Sequence, residues 1–240
     1  MKGLRPLAVA AGGTVAAHWS PAAAAVLPGA AALFGIPTTV GGNGVLLTFD
    51  DGPHPDGTPA VLEELDRLAV SAVFFVTGEQ VERYPQLVGA VGAAGHELGL
   101  HGYRHQTRRQ WSARLLADDV RRAREAVENA AGTSPRLYRP PHGVFTLTGL
   151  RLIRELGLEP LLWSKWGRDW ERRATPETIA ARATAGVAPG DVLLLHDADH
   201  YSTRGSWKAT AAALDPITQR IEAAGLETAS RQEERGRQRP

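Results

Sequence analysis

Three residues of the chain have types and a spacing that suit a divalent metal ion. His101 and His105 lie four positions apart, so both imidazoles can reach the same side of a turn or helix and hold one ion. Two histidines at this spacing are often accidental, but Asp51 adds a carboxylate. Two neutral imidazoles and one carboxylate leave a coordination position for water, as in a catalytic zinc site. Water bound there loses a proton more easily, because its pKa falls from ~15.7 to about 7.

A second acid, Asp50, directly precedes Asp51, and Gly52-Pro53 follow. Adjacent residues at the end of a strand point in different directions, so one carboxylate can bind the metal while the other faces the reacting water. The competing interpretation is a helix cap or an Asx turn before the helix near Pro59. Burying two adjacent acids for a turn alone is costly, which favours the catalytic interpretation.

His196 is a candidate acid for the same site. It follows the most apolar run of the chain and precedes Asp197. Histidine suits protonation of a departing amine near pH 7, whereas the alternative is a histidine satisfied within the core. Asp169 can supply an acid that tunes His196, and Trp170 can supply an apolar wall for a methyl group. The alternative for this pair is a turn residue beside a core tryptophan.

Arg139 begins the run Arg139-Pro140-Pro141-His142-Gly143. The prolines stiffen this loop, and a fixed guanidinium beside Asp50 would hold that carboxyl ionised and orient it. The alternative is a surface salt bridge. Together with a base and an acid, such a cation fits acyl transfer to water.

Short apolar runs precede most of these polar residues and alternate with helical patterns. Strands are predicted at Val45–Phe49, Ala72–Val76, Glu97–Leu100, Leu137–Arg139, Pro160–Trp163, Asp191–Leu195 and Leu226–Ala229. Helices are predicted at Pro59–Leu68, Val81–Ala94, Ser112–Ala131, Thr146–Leu156, Pro176–Ala185 and Trp207–Ala224. This alternation predicts an α/β fold in which parallel strands form a closed or nearly closed barrel with helices outside. All strands of such a barrel end on one face, so the polar residues are expected to converge there.

Length and composition fit this architecture and exclude some classes of protein. The 240 residues suit a single domain, and 43% hydrophobic with 22% charged residues allow an ordinary core. A formal net charge of +1 gives no global field that would attract nucleic acid. The chain has no cysteine, which excludes disulfides, cysteine nucleophiles and Cys-ligated zinc. The glycine-rich run at 41–44 precedes its strand, whereas a dinucleotide-binding turn follows one.

The first 40 residues are predicted to form an Ala-rich leader or arm before the domain at 41–230. Lys2 and Arg5 precede two apolar runs, Leu7–Ala17 and Ala22–Ile36, which are too interrupted for a firm transmembrane helix. A weak signal peptide or membrane-proximal leader and a flexible arm both stay open. An extracytoplasmic or membrane-associated location is slightly favoured over a cytoplasmic one. Residues 231–240 are predicted to be a polar tail.

Five runs of the sequence, in order, resemble the motifs of the polysaccharide deacetylases, which are carbohydrate esterase family 4 or the NodB-homology domain. The runs are Thr48-Phe49-Asp50-Asp51-Gly52-Pro53, His101-Gly102-Tyr103-Arg104-His105, Arg139-Pro140-Pro141-His142-Gly143, Asp169-Trp170 and Leu193-Leu194-Leu195-His196-Asp197. The resemblance covers about Val45 to Leu226 and implies a distorted (β/α) barrel of seven strands. It also implies a hydrolase that removes N-acetyl, or O-acetyl, groups from an acetylated polysaccharide or amino-sugar oligomer.

The resemblance further implies the reacting groups. Asp50 would be the general base and His196 the general acid. Asp51, His101 and His105 would bind a divalent metal, usually zinc, with cobalt or another divalent ion as the alternative.

Supporting roles follow from the same resemblance. Arg139 would orient the base, and Asp169 would tune the acid. Trp170 and Leu194 would line the acetyl pocket, and a backbone N–H near His142 would help to hold the oxyanion.

The sequence departs from the family pattern close to these motifs. Gly102 stands where the family usually has a hydroxyl residue that steadies the metal loop, and His142 stands where an aromatic residue is common. The fourth motif lacks a further aspartate in the segment 163–168. We expect Gly102→Ser to tighten metal binding, provided that the backbone does not need a positive φ. The loop 198–207 offers Tyr201 and Trp207 for stacking on sugar rings.

Two other functions stay open at this level. Related barrels reuse such a metal site, so the substrate can instead be a small cyclic or linear amide that is not a sugar. A protein of another class, a catalytically inactive carbohydrate-binding protein, would have no need of both Asp50 and His196. Neither nucleic acid nor a stable protein partner is expected.

Overall fold

The computed structural model describes residues 18–27 and 29–229. Among these residues, seven parallel strands form one sheet in the order β5-β4-β3-β2-β1-β7-β6. The strands are β1 (Leu46–Asp50), β2 (Ala72–Val76), β3 (Glu97–Leu100), β4 (Leu137–Tyr138), β5 (Glu159–Pro160), β6 (Lys165–Trp166) and β7 (Val192–His196). The sheet curls into a half-barrel, with β5 and β6 at its two edges. The predicted α/β fold with a distorted seven-stranded barrel is confirmed.

Helices connect the strands. They are α1 (Ala30–Leu33), α2 (Gly57–Arg67), α3 (Gly78–Arg83), α4 (Pro85–Ala93), α5 (Ala113–Ala131), α6 (Leu147–Glu155), α7 (Pro176–Ala183) and α8 (Ser206–Ala223). Short 3-10 helices occupy Ser20–Ala25, Thr107–Trp111 and Pro141–Gly143. The Ser112 side chain accepts a hydrogen bond from Leu115 N and caps α5.

The helix predicted at Val81–Ala94 is wrong as a single element. The chain forms α3 and α4 instead, and they meet at Tyr84, whose backbone has φ −134° and ψ 53°. Pro85 explains the break, because it lacks an N–H to donate and its ring disfavours a helical conformation of the preceding residue.

Two short strand predictions are also corrected. The strand expected at Leu226–Ala229 is only a single bridge between Val45 and Thr228. The strand expected at Pro160–Trp163 lies at Glu159–Pro160, and β6 at Lys165–Trp166 was not predicted. A strand of two residues is too short to leave a hydrophobic period in the sequence.

The alternation of side chains along β1 directs its acid into the barrel. Leu47 and Phe49 pack in the outer core with the helices, whereas Leu46 belongs to the inner cluster. Successive side chains of a strand point to opposite faces, so Thr48 and Asp50 share the inner face with Leu46. β1 is buried along its whole length. Asp50 therefore stands inside the barrel at the end of the strand.

The described part of the predicted N-terminal arm packs against the domain. Ile36 is 3% exposed, Thr39 forms a bridge with Asp191, and Val40 N donates to Gly190 O at 2.8 Å. The first 17 residues and the predicted tail at 231–240 lie outside the described residues. Within the described ranges, no helix combines the length and apolar character that crossing a membrane requires.

Candidate active site

The strand ends converge around one cleft of about 360 Å³. Asp50 and His196 are register partners at the ends of the neighbouring strands β1 and β7. Eight of the ten predicted site residues line this cleft: Asp50, Asp51, His101, His105, His142, Trp170, Leu194 and His196. The other two, Arg139 and Asp169, are buried behind it at 0% and 1% exposure.

Asp51, His101 and His105 form a set of donors that fits a metal ion. One ligand atom from each lies within 4.8 Å of the others, and the Nε2 atoms of both histidines are 3.4 Å from Asp51 Oδ1. His101 Nδ1 lies 2.8 Å from Arg139 O. Because a carbonyl only accepts, Nδ1 carries the proton and the Nε2 lone pair faces the cleft. Asp51 Oδ1 is buried and has no hydrogen-bond partner among the described residues.

The electrostatics of this set also favour a cation. Burial lowers the pKa of His105 to about 2, with His101 and His142 adding to the effect, so its imidazole is neutral. Burial and the charge of Arg139 likewise hold the pKa of His101 well below its usual value. Burial raises the pKa of Asp51 to about 7, against the nearby His196. A bound cation would reverse this penalty on the carboxylate.

Asp50 and Arg139 form a fully buried ion pair. Arg139 Nη1 donates to Asp50 Oδ1 at 2.7 Å and to Thr48 Oγ1 at 2.8 Å, while its other nitrogens donate to the carbonyls of Leu161 and Leu162 at 3.0 Å. Burial nevertheless raises the pKa of Asp50, and Arg139 only opposes this rise. Arg139 thus acts in the expected direction, towards the ionised carboxylate, but desolvation is the larger of the two effects on the pKa of Asp50.

His196 is held by Asp169 in a geometry that leaves one nitrogen for the cleft. Its Nδ1 lies 2.9 Å from Asp169 Oδ1, and its backbone N donates to Asp169 Oδ2 at 2.7 Å. Thr210 Oγ1 donates to the same Oδ2 at 2.8 Å. Although burial opposes the charge, Asp169 and then Asp51 and Asp50 raise the pKa of His196 to about 10. His196 is therefore protonated at neutral pH, with Nε2 4.0 Å from Asp51 Oδ2.

Aromatic rings form the walls of the cleft. The Trp170 ring lies edge-on to His196, 5.3 Å away. Trp163 and Trp166 line the same cleft. Beside the metal-ligand set, Tyr201 stacks on His105 at 4.3 Å and donates its hydroxyl to Glu79 at 2.6 Å.

Of the two aromatic residues proposed for sugar stacking, only Tyr201 lines the cleft. Trp207 instead packs against His54, with ring centroids 6.0 Å apart, and against the backbone of Gly57. Trp163 and Trp166 had no predicted site role, although three tryptophans within eight positions, with Trp170, are a signal for an aromatic site. Thr210 was not predicted either, and the sequence holds no signal for it, because its contact with Asp169 depends on how α8 packs.

Gly102→Ser was expected to tighten metal binding only if the backbone at Gly102 does not need a positive φ, and this condition is not met. Gly102 has φ 81°, and a Cβ there would lie 3.0 Å from Asp119 Oδ2 and 3.3 Å from Arg104 O. A serine would be strained at this φ, so the expected tightening of metal binding by Gly102→Ser is not supported. Asp119 is 7% exposed and accepts a hydrogen bond from Tyr103 N at 2.7 Å. A buried carboxylate thus braces the loop that carries both ligand histidines.

The chain is similar in sequence to known polysaccharide and peptidoglycan deacetylases. A family model described as polysaccharide deacetylase matches residues 38–161. The chitooligosaccharide deacetylase of Azorhizobium caulinodans is 31% identical over 189 residues, which are 76% of this chain and 90% of that protein. A peptidoglycan-N-acetylglucosamine deacetylase of Bacillus cereus is 33% identical over 183 residues, which are 75% of this chain and 83% of that protein.

A solved structure extends the similarity to the whole barrel. The crystal structure of the Bc1960 peptidoglycan N-acetylglucosamine deacetylase superposes with a TM-score of 0.73 at 28% identity. The match covers 81% of this chain and 87% of that one. The family model ends at residue 161, before Asp169 and His196. The structural match covers a larger share of the chain than the family model does.

Proposed function

The chain belongs to the polysaccharide deacetylase family, and from that membership we propose that it removes N-acetyl groups from N-acetylglucosamine-containing oligomers or polymers. We place this activity in a domain spanning residues 41–230. The observation that carries the proposal is the pair of register partners Asp50 and His196, which line one cleft together with the metal-ligand set. A catalytically inactive binding protein would gain nothing from two buried proton-transfer groups at this position.

Asp51, His101 and His105 would hold the metal, which we propose to be zinc. When bound, such an ion polarises the acetyl carbonyl and makes a water molecule more acidic. His101 is oriented for this role by its Nδ1 contact with Arg139 O.

Asp50 takes the proton of the attacking water. Its raised pKa makes it a better base than an exposed aspartate, since a catalytic pKa nearer the working pH transfers protons more effectively. Arg139 fixes its position through the 2.7 Å bond.

His196 gives its Nε2 proton to the departing sugar amine. Asp169 keeps the imidazole in the required orientation and stabilises its protonated form. A backbone N–H near His142 would help to stabilise the developing oxyanion.

The walls of the cleft suit an acetylated sugar. Trp170 and Leu194 would enclose the acetyl methyl, and larger acyl groups would overfill this apolar pocket. Trp163, Trp166 and Tyr201 add aromatic surface to the cleft that suits a pyranose ring, whereas a small cyclic amide would leave most of it uncovered. Amino-sugar chains are therefore the favoured substrates over isolated amides.

The test is acetate release by the zinc-loaded protein from N-acetylglucosamine oligomers, acetylated xylan and a cyclic amide. Mass spectrometry of the treated oligomers should show successive losses of one acetyl group. Release from xylan alone would assign O-deacetylation. Opening of the cyclic amide without acetate release from any sugar would replace the proposal with the amide hydrolase.

A further inference from the structure

A second cluster with metal-ligand chemistry lies outside the cleft, at His54, Asp199 and His200. Its tautomer argues against a cation. His54 Nδ1 accepts hydrogen bonds from the backbone N–H groups of Asp56 and Gly57, at 3.1 and 2.9 Å. A neutral imidazole with an accepting Nδ1 carries its proton on Nε2. His54 Nε2 lies 3.1 Å from Asp199 Oδ1 and therefore donates to it instead of binding metal.

This hydrogen bond joins two loops of the catalytic face, and we name it the His54–Asp199 bridge. The first loop, 51–58, follows β1 and includes the first two residues of α2, and the second, 197–205, follows β7. The bridge is mostly sheltered from solvent, with the two side chains 11% and 14% exposed. A hydrogen bond that is sheltered from water holds its partners more firmly than one at the surface.

Two further contacts join the same loops. His200 Nε2 donates to Pro53 O at 3.1 Å, and Thr58 Oγ1 donates to Asp197 Oδ2. Asp199 Oδ2 also accepts from Gly205 N, which fixes the acid within its own loop. The bridge is therefore part of a continuous set of bonds and not an isolated contact.

The two loops start at functional groups. The first begins with the ligand Asp51, the second follows His196, and Asp51 Oδ2 lies 4.0 Å from His196 Nε2. Tyr201 of the second loop stacks on the ligand His105. A shift of one loop relative to the other would change the position of Asp51 within the metal-ligand set and the distance between Asp51 and His196.

We propose that His54 is a positioning residue, which holds Asp51 and His196 at their working separation through the His54–Asp199 bridge. This inference rests on the proposed function for its catalytic consequence. Its consequence for metal binding stands independently, because Asp51 is carried by the loop that His54 anchors.

Two amide substitutions separate the bridge from the local turn. In His54→Asn, the side-chain oxygen can replace Nδ1 and accept from Asp56 N and Gly57 N, but the side chain is too short to reach Asp199. In His54→Gln, the amide nitrogen can replace Nε2 as the donor to Asp199, while the turn loses its acceptor. Both variants lose the ring equally. A residue that served only the local turn would tolerate Asn better than Gln.

The experiment measures zinc affinity by competition with a chelator, and kcat and KM on N-acetylglucosamine oligomers, for both variants. We expect His54→Asn to weaken zinc binding and lower kcat by about 10-fold each, with KM little changed, as for lost outer-shell contacts at metal sites. We expect His54→Gln to stay closer to the parent in both quantities. In a double variant, Asp199→Asn should add little to His54→Asn, because its amide oxygen can still accept from Gly205 N and only the bond to His54 is lost.

The matched control is His96→Asn, which alters a histidine that accepts from Ala72 N through Nδ1 at the opposite end of the sheet. It should keep the zinc affinity and kcat of the parent. A His54→Asn protein that binds zinc and turns over no worse than His54→Gln would overturn the positioning role. If the parent releases no acetate from any amino sugar, the proposed function fails, but the chelator competition still decides whether the bridge positions Asp51.

Discussion

Two charge pairs meet at the cleft, Asp50 with Arg139 and His196 with Asp169. In each pair, a group proposed for proton transfer contacts a buried partner of opposite charge, at 2.7 and 2.9 Å. The balance of forces differs. On the base side burial outweighs Arg139 and raises the pKa of Asp50. On the acid side burial is outweighed by Asp169 and the other carboxylates, which raise the pKa of His196 to about 10.

The difference teaches what each partner does. Arg139 divides its N–H groups between Asp50, Thr48 and two backbone carbonyls, so much of its bonding holds the barrel interior together. Asp169 directs both oxygens at His196, with one further bond from Thr210. Arg139 is therefore chiefly a fixed support for the base, whereas Asp169 sets both the orientation and the charge of the acid.

The largest expected effect concerns the base. Asp50→Asn should lower kcat by about 10²–10⁴-fold, the usual contribution of a general base or acid. Elemental analysis should show the metal content of the parent, because Asp50 is not a ligand in this assignment. The loss should be similar on N-acetylglucosamine oligomers and on 4-nitrophenyl acetate, since water attacks in both reactions. Turnover close to the parental rate would place the base elsewhere.

The second prediction separates the acid side from the base side. His196→Asn should lose about 10²–10⁴-fold in kcat on the oligomers, where an amine must be protonated as it departs. On 4-nitrophenyl acetate it should stay close to the parent, because that leaving group departs without a proton. An equal loss on both substrates would remove the assignment of His196 as the acid and with it the contrast between the two pairs.

Sequence reasoning was most successful where a residue lies next to a long buried strand. Asp50 and His196 follow apolar runs of the chain, and a parallel barrel brings such strand ends to one face. Their convergence could thus be predicted without knowing any distance. The break before Pro85 could also have been predicted, because proline disfavours a helical conformation of the residue before it. The prediction of one helix at Val81–Ala94 left this effect out.

The remaining features depend on distances that no local pattern encodes. β6 has only two residues, so it leaves no periodicity, and the placement of Trp166 in the cleft followed only from its pairing with β7. Thr210 contacts Asp169 because α8 packs next to that carboxylate. The direction of the pKa shift of Asp50 needed the degree of burial, which a sequence does not give.

The third prediction tests the two partners directly. Arg139→Lys and Asp169→Asn should each lower kcat by about 10–100-fold, as for residues that orient groups next to them. Both variants should also lower the free energy of unfolding. Arg139→Lys should lower it by about 1–3 kcal/mol at any pH from 6 to 10, because it leaves the buried carbonyls of Leu161 and Leu162 without a donor. Asp169→Asn should lower it most below pH 6.5 and progressively less as the pH rises to about 10, because His196 loses the carboxylate that raises its pKa. Urea denaturation across this pH range separates the two, and an Arg139→Lys protein as stable as the parent would contradict the structural role given to Arg139.

The smallest expected effect lies at the edge of the acid side. Thr210→Val keeps the shape of the side chain but removes its hydrogen bond to Asp169 Oδ2. A hydrogen bond to a charged group contributes about 1.5–3 kcal/mol, but Asp169 keeps both of its contacts with His196, so only part of this is lost at the acid and kcat on the oligomers should fall by about 2–10-fold. Turnover of 4-nitrophenyl acetate should not change, because Asp169 acts through His196.

A matched control for this variant lies two turns further along α8. Thr218→Val removes a hydroxyl that bonds only to Leu214 O within the helix, at 3.0 Å, in a residue that is 7% exposed. It should leave both activities unchanged, since Thr218 does not contact Asp169. If Thr210→Val slowed the ester as much as the oligomer, its effect would be on the packing of α8. The Thr210 hydrogen bond would then have no part in positioning Asp169, and only its two contacts with His196 would hold that carboxylate in place.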